Sequence, residues 1–366
     1  MDDNRNLLQQ LLDTGQIDLR RGRLFDLEPG PMPPDFDFDR VDGMMLGLAI
    51  GDSLGNSSEG MAPRARRAVF GEIRDYLPHP RFGDARGYPS DDTQLAFWTL
   101  EQMLADGGFN PERVAARFCA DPIYGIGSAV AEFVSNCRPG GRPWYRCGPK
   151  SAGNGALMRI APMVIPHLRS GTADIWVDTA LSAAITHNDS GSISACLSFT
   201  HMLWRLLEMD APPKPEWWLR SYVDAARDLE VDESYRPRGG PFAGYRGPIW
   251  RFVEERVGEA YERGLTALEG CNSWYSGAYL LETVPSVVYI LMLHGRDPED
   301  AIIRAVNDTF DNDTVAAIVG AAVGALHGRS RLPARWIAGL SGRTSADDEG
   351  KVFDLLAEAR RRWWTL

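Results

Sequence analysis

Apolar residues at helical spacing dominate the chain. Between residues 95 and 104 they recur with the spacing i, i+1, i+4, i+5, and the pattern stops at Gly107-Gly108. This spacing predicts one amphipathic helix. Asp297 followed by Pro298 predicts the start of another, because aspartate caps helix N-termini and proline suits the first helical position. Alternating patterns typical of β-strands are scarce. The pattern therefore predicts an all-α fold built around a single large domain.

Two segments are apolar without a clear polar face. Residues 315–326 are also rich in small side chains, which is typical of a helix buried at the centre of a bundle with close neighbours. Residues 44–50 form the second such segment, and we expect this helix to give way to a glycine-punctuated loop at residues 51–59. The Gly/Pro-rich stretch at residues 236–245 predicts a surface loop or lid.

Residues 1–40 differ in composition from the rest. Three prolines between residues 31 and 34 precede an alternating Asp-Phe run at residues 35–39. Because proline lacks an N–H and aspartate stays hydrated, we expect an extended N-terminal arm attached to a compact domain of residues 41–366. The acidic and aromatic run would suit a basic cleft on a partner protein, and an ordinary flexible leader is the alternative.

Composition argues against several classes of function. Asp and Glu outnumber Lys and Arg by 50 to 39, and the net charge of −11 disfavours broad binding to nucleic acid or anionic membranes. The five cysteines show no CxxC spacing, so we expect neither a disulfide framework nor a zinc site. The first residues lack a signal-peptide pattern, and no apolar run reaches the roughly 20 residues of a membrane span. These features predict a cytoplasmic protein.

Two similar acidic clusters lie more than two hundred residues apart, at residues 90–93 (Ser-Asp-Asp-Thr) and 311–314 (Asp-Asn-Asp-Thr), and each opens onto an apolar helix. Carboxylates and hydroxyls are hard oxygen ligands, which suit Mg²⁺ or Mn²⁺ rather than zinc or iron. Helix capping would explain either cluster alone, since Asp91 with Gln94 matches a capping box. The occurrence of two such clusters favours one shared metal site.

Three further polar segments carry candidate chemistry. Residues 51–59 hold Glu59 in a glycine-rich segment, for which an exposed glutamate in a turn is the alternative interpretation. Residues 153–159 form a small-residue loop whose N–H groups could face an anion, although such loops are common. Residues 186–192 combine His187 with several hydroxyls, where a helix cap or a hydrogen-bonded core histidine is the alternative.

Five motifs, taken in order, resemble those of the ADP-ribosylglycohydrolase family over about residues 41–335. They are GDSLGNSSE (51–59), SDDTQ (90–94), GNGALMR (153–159), TH (186–187) and NDTFDNDTVAAIVGA (307–321). The resemblance implies an all-α fold around a centre of two Mg²⁺ ions, with Mn²⁺ as the alternative. It also implies an enzyme that removes ADP-ribose from modified proteins, with arginine as the expected linkage.

The resemblance gives each site residue a role through its motif position. The implied metal ligands are Ser90, Asp91, Asp92, Asp311, Asp313 and Thr314. The implied catalytic residues are Glu59 and Asp92, and Glu59 is the loop carboxylate beside the scissile bond. The implied ADP-ribose contacts are Gly153, Asn154, Gly155, His187, Gly191, Ser192 and Tyr279.

The chain departs from the family pattern in both metal motifs. Ser90 stands where threonine is usual and keeps the hydroxyl. Phe310 stands where glycine is usual and Asn312 where threonine is usual, so we expect a narrower cleft with retained activity and altered substrate access. Some family members resemble immunity proteins against ADP-ribosylating toxins. An alternative function is therefore the blocking of an ADP-ribosyltransferase toxin through residues 1–40.

Overall fold

A computed structural model describes residues 2–137 and 142–365, which fold into α-helices and short 3-10 helices. The α-helices are α1 (Asp2–Asp13), α2 (Asp39–Asn56), α3 (Pro63–Phe70), α4 (Asp91–Asp106), α5 (Pro111–Ala120), α6 (Ser128–Asn136), α7 (Asp174–Thr186), α8 (Ser190–Leu207), α9 (Pro215–Leu229), α10 (Ile249–Glu262), α11 (Ala267–Trp274), α12 (Leu280–His294), α13 (Pro298–Asp308), α14 (Asn312–His327), α15 (Ala334–Gly339) and α16 (Lys351–Trp363). The 3-10 helices are Arg23–Asp26, Trp144–Arg146, Leu157–Arg159, Ala161–His167 and Arg329–Arg331.

The predicted all-α fold is confirmed. Within the described ranges, β-structure is limited to isolated bridges, one of which joins Gly153 to Tyr279. No helix in those ranges is both long and apolar enough to cross a lipid bilayer.

Helices α2 and α14 lie antiparallel in the core at very short separation. The glycines that allow this contact recur at every fourth position of α2, namely Gly43, Gly47, Gly51 and Gly55. A Cβ on Gly47 would lie 2.1 Å from the carbonyl oxygen of Gly320, and a Cβ on Gly55 would lie 2.4 Å from the Cα of Asp313. Because any larger side chain would overlap the facing backbone, the glycine stripe brings the end of α2 against the start of α14.

Several predicted helix boundaries agree with the structure, and one does not. Helix α4 ends at Gly107, whose φ of 77° suits glycine, and Asp297 caps α13 through two backbone N–H groups. The prediction that a loop begins at residue 51 is wrong. Helix α2 continues to Asn56, because Gly51 and Gly55 pack against α14 instead of forming turns.

The N-terminal segment lies on the domain instead of extending away from it. Helix α1 buries Leu8 and Leu11 in the main core, and Phe38 is fully buried just before α2. The ring of Phe36 packs edge-on against Trp364 with centroids 5.3 Å apart. The expectation of a loosely ordered, extended arm is therefore wrong for these residues, because their apolar side chains find partners on the domain.

The cysteine prediction also needs correction. Cys137 and Cys147 form a disulfide with Cα atoms 5.5 Å apart. Their separation of ten residues matches no short motif. The other three cysteines, Cys119, Cys196 and Cys271, are thiols.

We expect Gly47→Ala to destabilise the protein by at least about 1–3 kcal/mol, since its methyl group would force α2 and α14 apart. The matched control is Gly258→Ala in α10, where nothing lies within 4 Å of an added Cβ and alanine improves helix propensity by about 0.8–1 kcal/mol. Chemical denaturation followed by circular dichroism would compare the two variants. Equal unfolding midpoints would contradict the close-packing interpretation.

Candidate metal centre

The acidic residues of three helix ends meet at one place. Carboxylate oxygens of Asp52, Asp92 and Asp313 lie within 4.8 Å of one another, and the same holds for Glu59, Asp311 and Asp313. Asp313 belongs to both groups. The two groups are therefore adjoining sites that share one carboxylate.

Asp52 fastens the first turn of α4 to α2. Its carboxylate, fully buried, accepts the backbone N–H groups of Ser90 at 3.0 Å and Thr93 at 3.1 Å. Ser90 caps the same helix, because its Oγ accepts the N–H of Asp92 at 3.3 Å and donates to the Asp92 carboxylate at 3.1 Å. These bonds fix the direction in which Asp92 faces the centre.

Helix capping, the alternative explanation, accounts for Ser90 but not for the aspartates of either cluster. Gln94 donates to the carbonyl oxygens of Pro122 at 3.3 Å and Thr344 at 2.9 Å, and Asp91 is the first residue of α4 rather than its cap. At α14, Asp311 occupies the cap position without a side-chain capping bond among the described residues. Both clusters are therefore available for another role.

Direct hydrogen bonds connect the two clusters to each other and to the loop at residue 154. The hydroxyl of Thr314 donates to the carboxylate of Asp92 at 3.2 Å, across from α14 to α4. The amide of Asn154 donates to Asp311 at 2.6 Å. Asn154, predicted as a substrate contact, therefore also orients a predicted metal ligand.

A buried arginine holds the Glu59 turn beside the second cluster. The guanidinium of Arg66, fully buried on α3, donates to the carbonyl oxygens of Met61 and Thr309, both at 2.8 Å. Met61 follows Glu59 by two residues, and Thr309 precedes Asp311 by two residues. One side chain therefore sets the spacing between an exposed carboxylate and a buried one.

The two departures from the family pattern in the second metal motif, Phe310 and Asn312, have structural partners. The Asn312 amide donates to Ser58 Oγ at 3.0 Å and thereby ties α14 to the Glu59 turn. The ring of Phe310 packs on the half-exposed Tyr275 with centroids 4.8 Å apart, and its N–H donates to Ser276 Oγ at 3.0 Å. Tyr275 and Ser276 have φ values of 81° and 50°, an uncommon conformation for residues other than glycine.

The centre contains more negative charge than its protein surroundings compensate. One carboxylate oxygen of Asp92 and one of Asp313 are buried without a hydrogen-bond partner among the described residues. Burial and neighbouring carboxylates raise the pKa of both residues well above the usual range. Burial also raises the pKa of Asp52 and Asp311 to about 6. Unpaired buried carboxylate oxygens fit a divalent cation, whose charge and coordination would satisfy them.

Asp91 lies beside the centre but outside both groups of three. Its carboxylate accepts the N–H of Gly127 at 3.4 Å. Burial, and then the nearby charge of Asp52, raises the pKa of Asp91 to about 8. Four of the six predicted metal ligands are carboxylates. Asp92, Asp311 and Asp313 belong to the two groups of three, whereas Asp91 does not.

Most of the predicted substrate contacts come together on one side of the centre. A Cβ added to Gly153 would lie 3.3 Å from Nε2 of His187, and one added to Gly155 would lie 2.8 Å from Cε1 of the same ring. The glycine loop therefore packs directly on the histidine. Tyr279 joins this loop through its bridge to Gly153. The loop that carries Asn154 thus lies between His187 and the metal centre.

Gly191 and Ser192 lie in the first turn of α8, and their backbone N–H groups are already bonded. Both N–H groups donate to the capping carboxylate of Asp189, at 3.0 and 3.2 Å. Gly191 also donates to the hydroxyl of Tyr235 at 2.8 Å. Any contact of this turn with a substrate would therefore use other atoms.

Two residues of the centre, Asp52 and Arg66, have no role predicted from the sequence. Asp52 lies within the first motif, and continuing α2 through Gly51 would have placed its carboxylate beside both aspartate clusters. Arg66 gave no signal, because a single arginine on a short amphipathic helix normally lies at the surface.

The fold and the centre define a class of all-α proteins with a carboxylate-rich metal site at converging helix ends. The family model for ADP-ribosylglycohydrolase matches residues 32–365. The chain therefore belongs to the ADP-ribosylglycohydrolase family, which is metal-dependent, and it is an enzyme of that kind.

Relatives match over most of their own length. A protein of Archaeoglobus fulgidus is 30% identical over 85% of this chain and 95% of the relative. The ADP-ribosylarginine hydrolase Tri1 of Pseudomonas putida is 26% identical over 84% of this chain and 75% of the relative. The ADP-ribosyl-[dinitrogen reductase] glycohydrolase of Rhodospirillum rubrum is 25% identical over 88% and 97%. A solved ADP-ribosylglycohydrolase-related protein complex has a TM-score of 0.66 at 25% identity, over 89% of this chain and 98% of the solved chain, which supports the same fold.

The raised pKa values predict how stability depends on pH. In the metal-free protein, Asp52 and Asp311 have a pKa of about 6, so the folded chain binds protons that the unfolded chain releases near pH 4. We therefore expect the melting temperature in EDTA to fall as the pH rises from about 4 to about 6, and to fall further up to about pH 8 because burial raises the pKa of Asp91 to about 8. Added Mg²⁺ should raise it by several degrees, and more at the higher pH.

The control for this measurement is Asp313→Asn, which removes the shared carboxylate. The variant should melt above the wild type in EDTA at the higher pH, because one repelling charge is gone, and should respond less to Mg²⁺. Melting curves of the wild type that are unaffected by Mg²⁺ at both pH values would contradict a metal site here.

Proposed function

We propose that the protein removes ADP-ribose from arginine side chains of modified proteins and so reverses mono-ADP-ribosylation. The observation that supports this most directly is the pair of adjoining carboxylate groups that share Asp313, with Glu59 at the rim. The arginine linkage is supported by the Pseudomonas putida relative, which is an ADP-ribosylarginine hydrolase. The substrate partner would be an ADP-ribosylated protein.

Two divalent cations are proposed for the centre, with Mg²⁺ preferred and Mn²⁺ as the alternative. The residues that would hold them are Ser90, Asp91, Asp92, Asp311, Asp313 and Thr314, together with Asp52. Cations bound there would polarise the ribose and lower the pKa of a bound water. Two groups of three carboxylates sharing one member support the count of two ions.

Glu59 is the member of the centre that can reach a substrate atom, since it is exposed whereas Asp311 and Asp313 are buried. We assign to Glu59 the orientation and deprotonation of the attacking water, a role typically worth about 10²–10⁴-fold in rate. The water oxygen bonds to C1″ of the ribose while the bond from C1″ to the guanidine nitrogen breaks. The proton taken by Glu59 then passes to the departing nitrogen. Asp92, held by Ser90 and Thr314, keeps the centre in fixed geometry during this step.

The remaining predicted contacts would bind the ADP-ribose. The loop of Gly153, Asn154 and Gly155 lies between His187 and the metal centre, which places it where a ribose and diphosphate would extend away from the cations. Tyr279, bridged to Gly153, is proposed to contact the adenosine side. The turn of Gly191 and Ser192 completes this wall through atoms other than its bonded N–H groups.

The test of the proposed activity uses Glu59→Gln and Asp313→Ala. Both variants should release ADP-ribose from an arginine-modified protein at least about 100-fold more slowly than the wild type in Mg²⁺. Glu59→Gln should keep the melting-temperature response to Mg²⁺, whereas Asp313→Ala should lose most of it. A parallel assay on serine-modified protein would identify the linkage. Undiminished turnover in both variants would overturn the assignment.

Phe310 generates a separate prediction about substrate access. Because its ring and that of Tyr275 form a wall directly before Asp311, Phe310→Ala should widen the entrance on that side. We expect kcat/KM for a modified protein to rise by roughly tenfold, about 1.4 kcal/mol, with little change for free ADP-ribosyl-arginine. Equal effects on the large and small substrates would show that Phe310 does not limit access.

The alternative function, in which residues 1–40 block a toxin, stays a prediction. The structure gives it no support, because Phe38 is buried and Phe36 packs on Trp364, so the Asp-Phe run is not free to dock. The proposed cytoplasmic location also stays a prediction. The disulfide between Cys137 and Cys147 is unusual for a strongly reducing compartment.

A further inference from the structure

A buried arginine lies behind the predicted substrate histidine. Arg159 ends the 3-10 helix Leu157–Arg159 and is fully buried. Its guanidinium donates to the backbone carbonyl of Ser182 at 2.9 Å and to the hydroxyl oxygen of Thr186 at 2.8 Å. A second guanidinium nitrogen lies 3.2 Å from Ser182 Oγ. An arginine can donate but not accept, so the Thr186 oxygen is the acceptor in this bond.

The hydroxyl of Thr186 has a second partner on the next residue. Its oxygen lies 2.9 Å from the Nδ1 of His187, and both side chains are buried. A hydroxyl has a single hydrogen, and His187 Nδ1 is the acceptor within its reach among the contacts of the described residues. If Nδ1 were the donor instead, the Thr186 hydrogen would be left buried and unpaired, which costs free energy. The Thr186 hydrogen and the Nδ1 lone pair are both paired when Nδ1 accepts.

An accepting Nδ1 places the ring proton of neutral His187 on Nε2. That nitrogen has no hydrogen-bond partner among the described residues, and it faces Gly153 and Gly155, where added Cβ atoms would come within 3.3 and 3.2 Å of it. His187 is 2% exposed. Burial, and then the charge of Arg159, lowers the pKa of His187 to about 3, so the ring is neutral under ordinary conditions.

We propose that Arg159, acting through Thr186, fixes His187 as the neutral tautomer protonated at Nε2 and makes it a permanent hydrogen-bond donor to an oxygen of ADP-ribose. Arg159 and Thr186 are positioning residues in this arrangement. The identity of the ligand rests on the proposed function, whereas the tautomer does not. A neutral donor suits this buried position, because it can bind a diphosphate or ribose oxygen without burying another charge.

The variants that test the relay are Thr186→Val and Thr186→Ser. Valine keeps the shape of threonine and removes the hydroxyl, whereas serine keeps the hydroxyl. The matched control is Thr179→Val on the same helix α7, where a fully buried hydroxyl has no hydrogen-bond partner among the described residues. All three variants change a buried side chain of one helix, so a general loss of packing would affect Thr186→Val and Thr179→Val alike.

The first measurement is ¹⁵N NMR of the histidine rings in the full chain near neutral pH. The chain has six histidines, and the His187 signal is the one that is lost in His187→Gln. We expect the wild type and Thr186→Ser to show His187 protonated at Nε2, and Thr186→Val to show a mixture of tautomers. Protonation at Nδ1, or a charged ring in the wild type, would overturn the proposal. This measurement requires neither a metal nor a substrate.

The second measurement is ADP-ribose affinity by calorimetry in Mg²⁺. Thr186→Val should bind roughly tenfold more weakly than the wild type, whereas Thr186→Ser and Thr179→Val should stay within about twofold. The loss should appear in KM more than in kcat, because the donor contacts a part of the substrate remote from the broken bond. Equal affinities for Thr186→Val and Thr179→Val would overturn the donor role. A wild type that binds no ADP-ribose would instead refute the proposed function and leave the tautomer result intact.

Discussion

The short separation between α2 and α14 is the constraint on which the rest of the structure depends. Glycines at every fourth position of α2 leave the two backbones in direct contact, with Gly47 against Gly320. Because the helices are antiparallel, the end of α2 meets the start of α14, and the residues that follow each helix end share one location. Asp52 and Asp313 come together for this reason, although each would prefer hydration to a buried, like-charged neighbour.

The packing of apolar helices thus compensates for an unfavourable polar centre. Hydrophobic burial along α2, α4 and α14 holds several carboxylates at distances that raise their pKa values, and two of their oxygens have no partner among the described residues. A protein that only needed stability would gain from replacing them with apolar side chains. Their presence in the interior is explained by a ligand of opposite charge, and this is why the centre is the part of the fold most closely tied to function.

Two buried arginines hold segments next to the centre in place. Arg66 joins the Glu59 turn to the segment before Asp311 through backbone carbonyl oxygens, and Arg159 reaches His187 through a hydroxyl. In each case a planar guanidinium binds several oxygen acceptors, which for Arg66 are carbonyl oxygens near the Glu59 turn and before Asp311, and for Arg159 are oxygens of Ser182 and Thr186 in the last turn of α7. Irregular segments can then be as well positioned as the helices, so an exposed carboxylate and a buried histidine keep defined orientations relative to the aspartates.

The sequence by itself determined the local features. Periodicity and caps located α4, α13 and α14, and the two aspartate clusters indicated hard oxygen ligands, because residue type and spacing decide both. The tertiary structure decided what depends on contacts between distant segments. Gly51 and Gly55 are compatible with a turn or a helix until α14 lies against them, and Asp52 joins the centre only when α2 continues. The same holds for the apolar residues before residue 40 and for Arg66, since burial is a property of neighbours that local sequence does not specify.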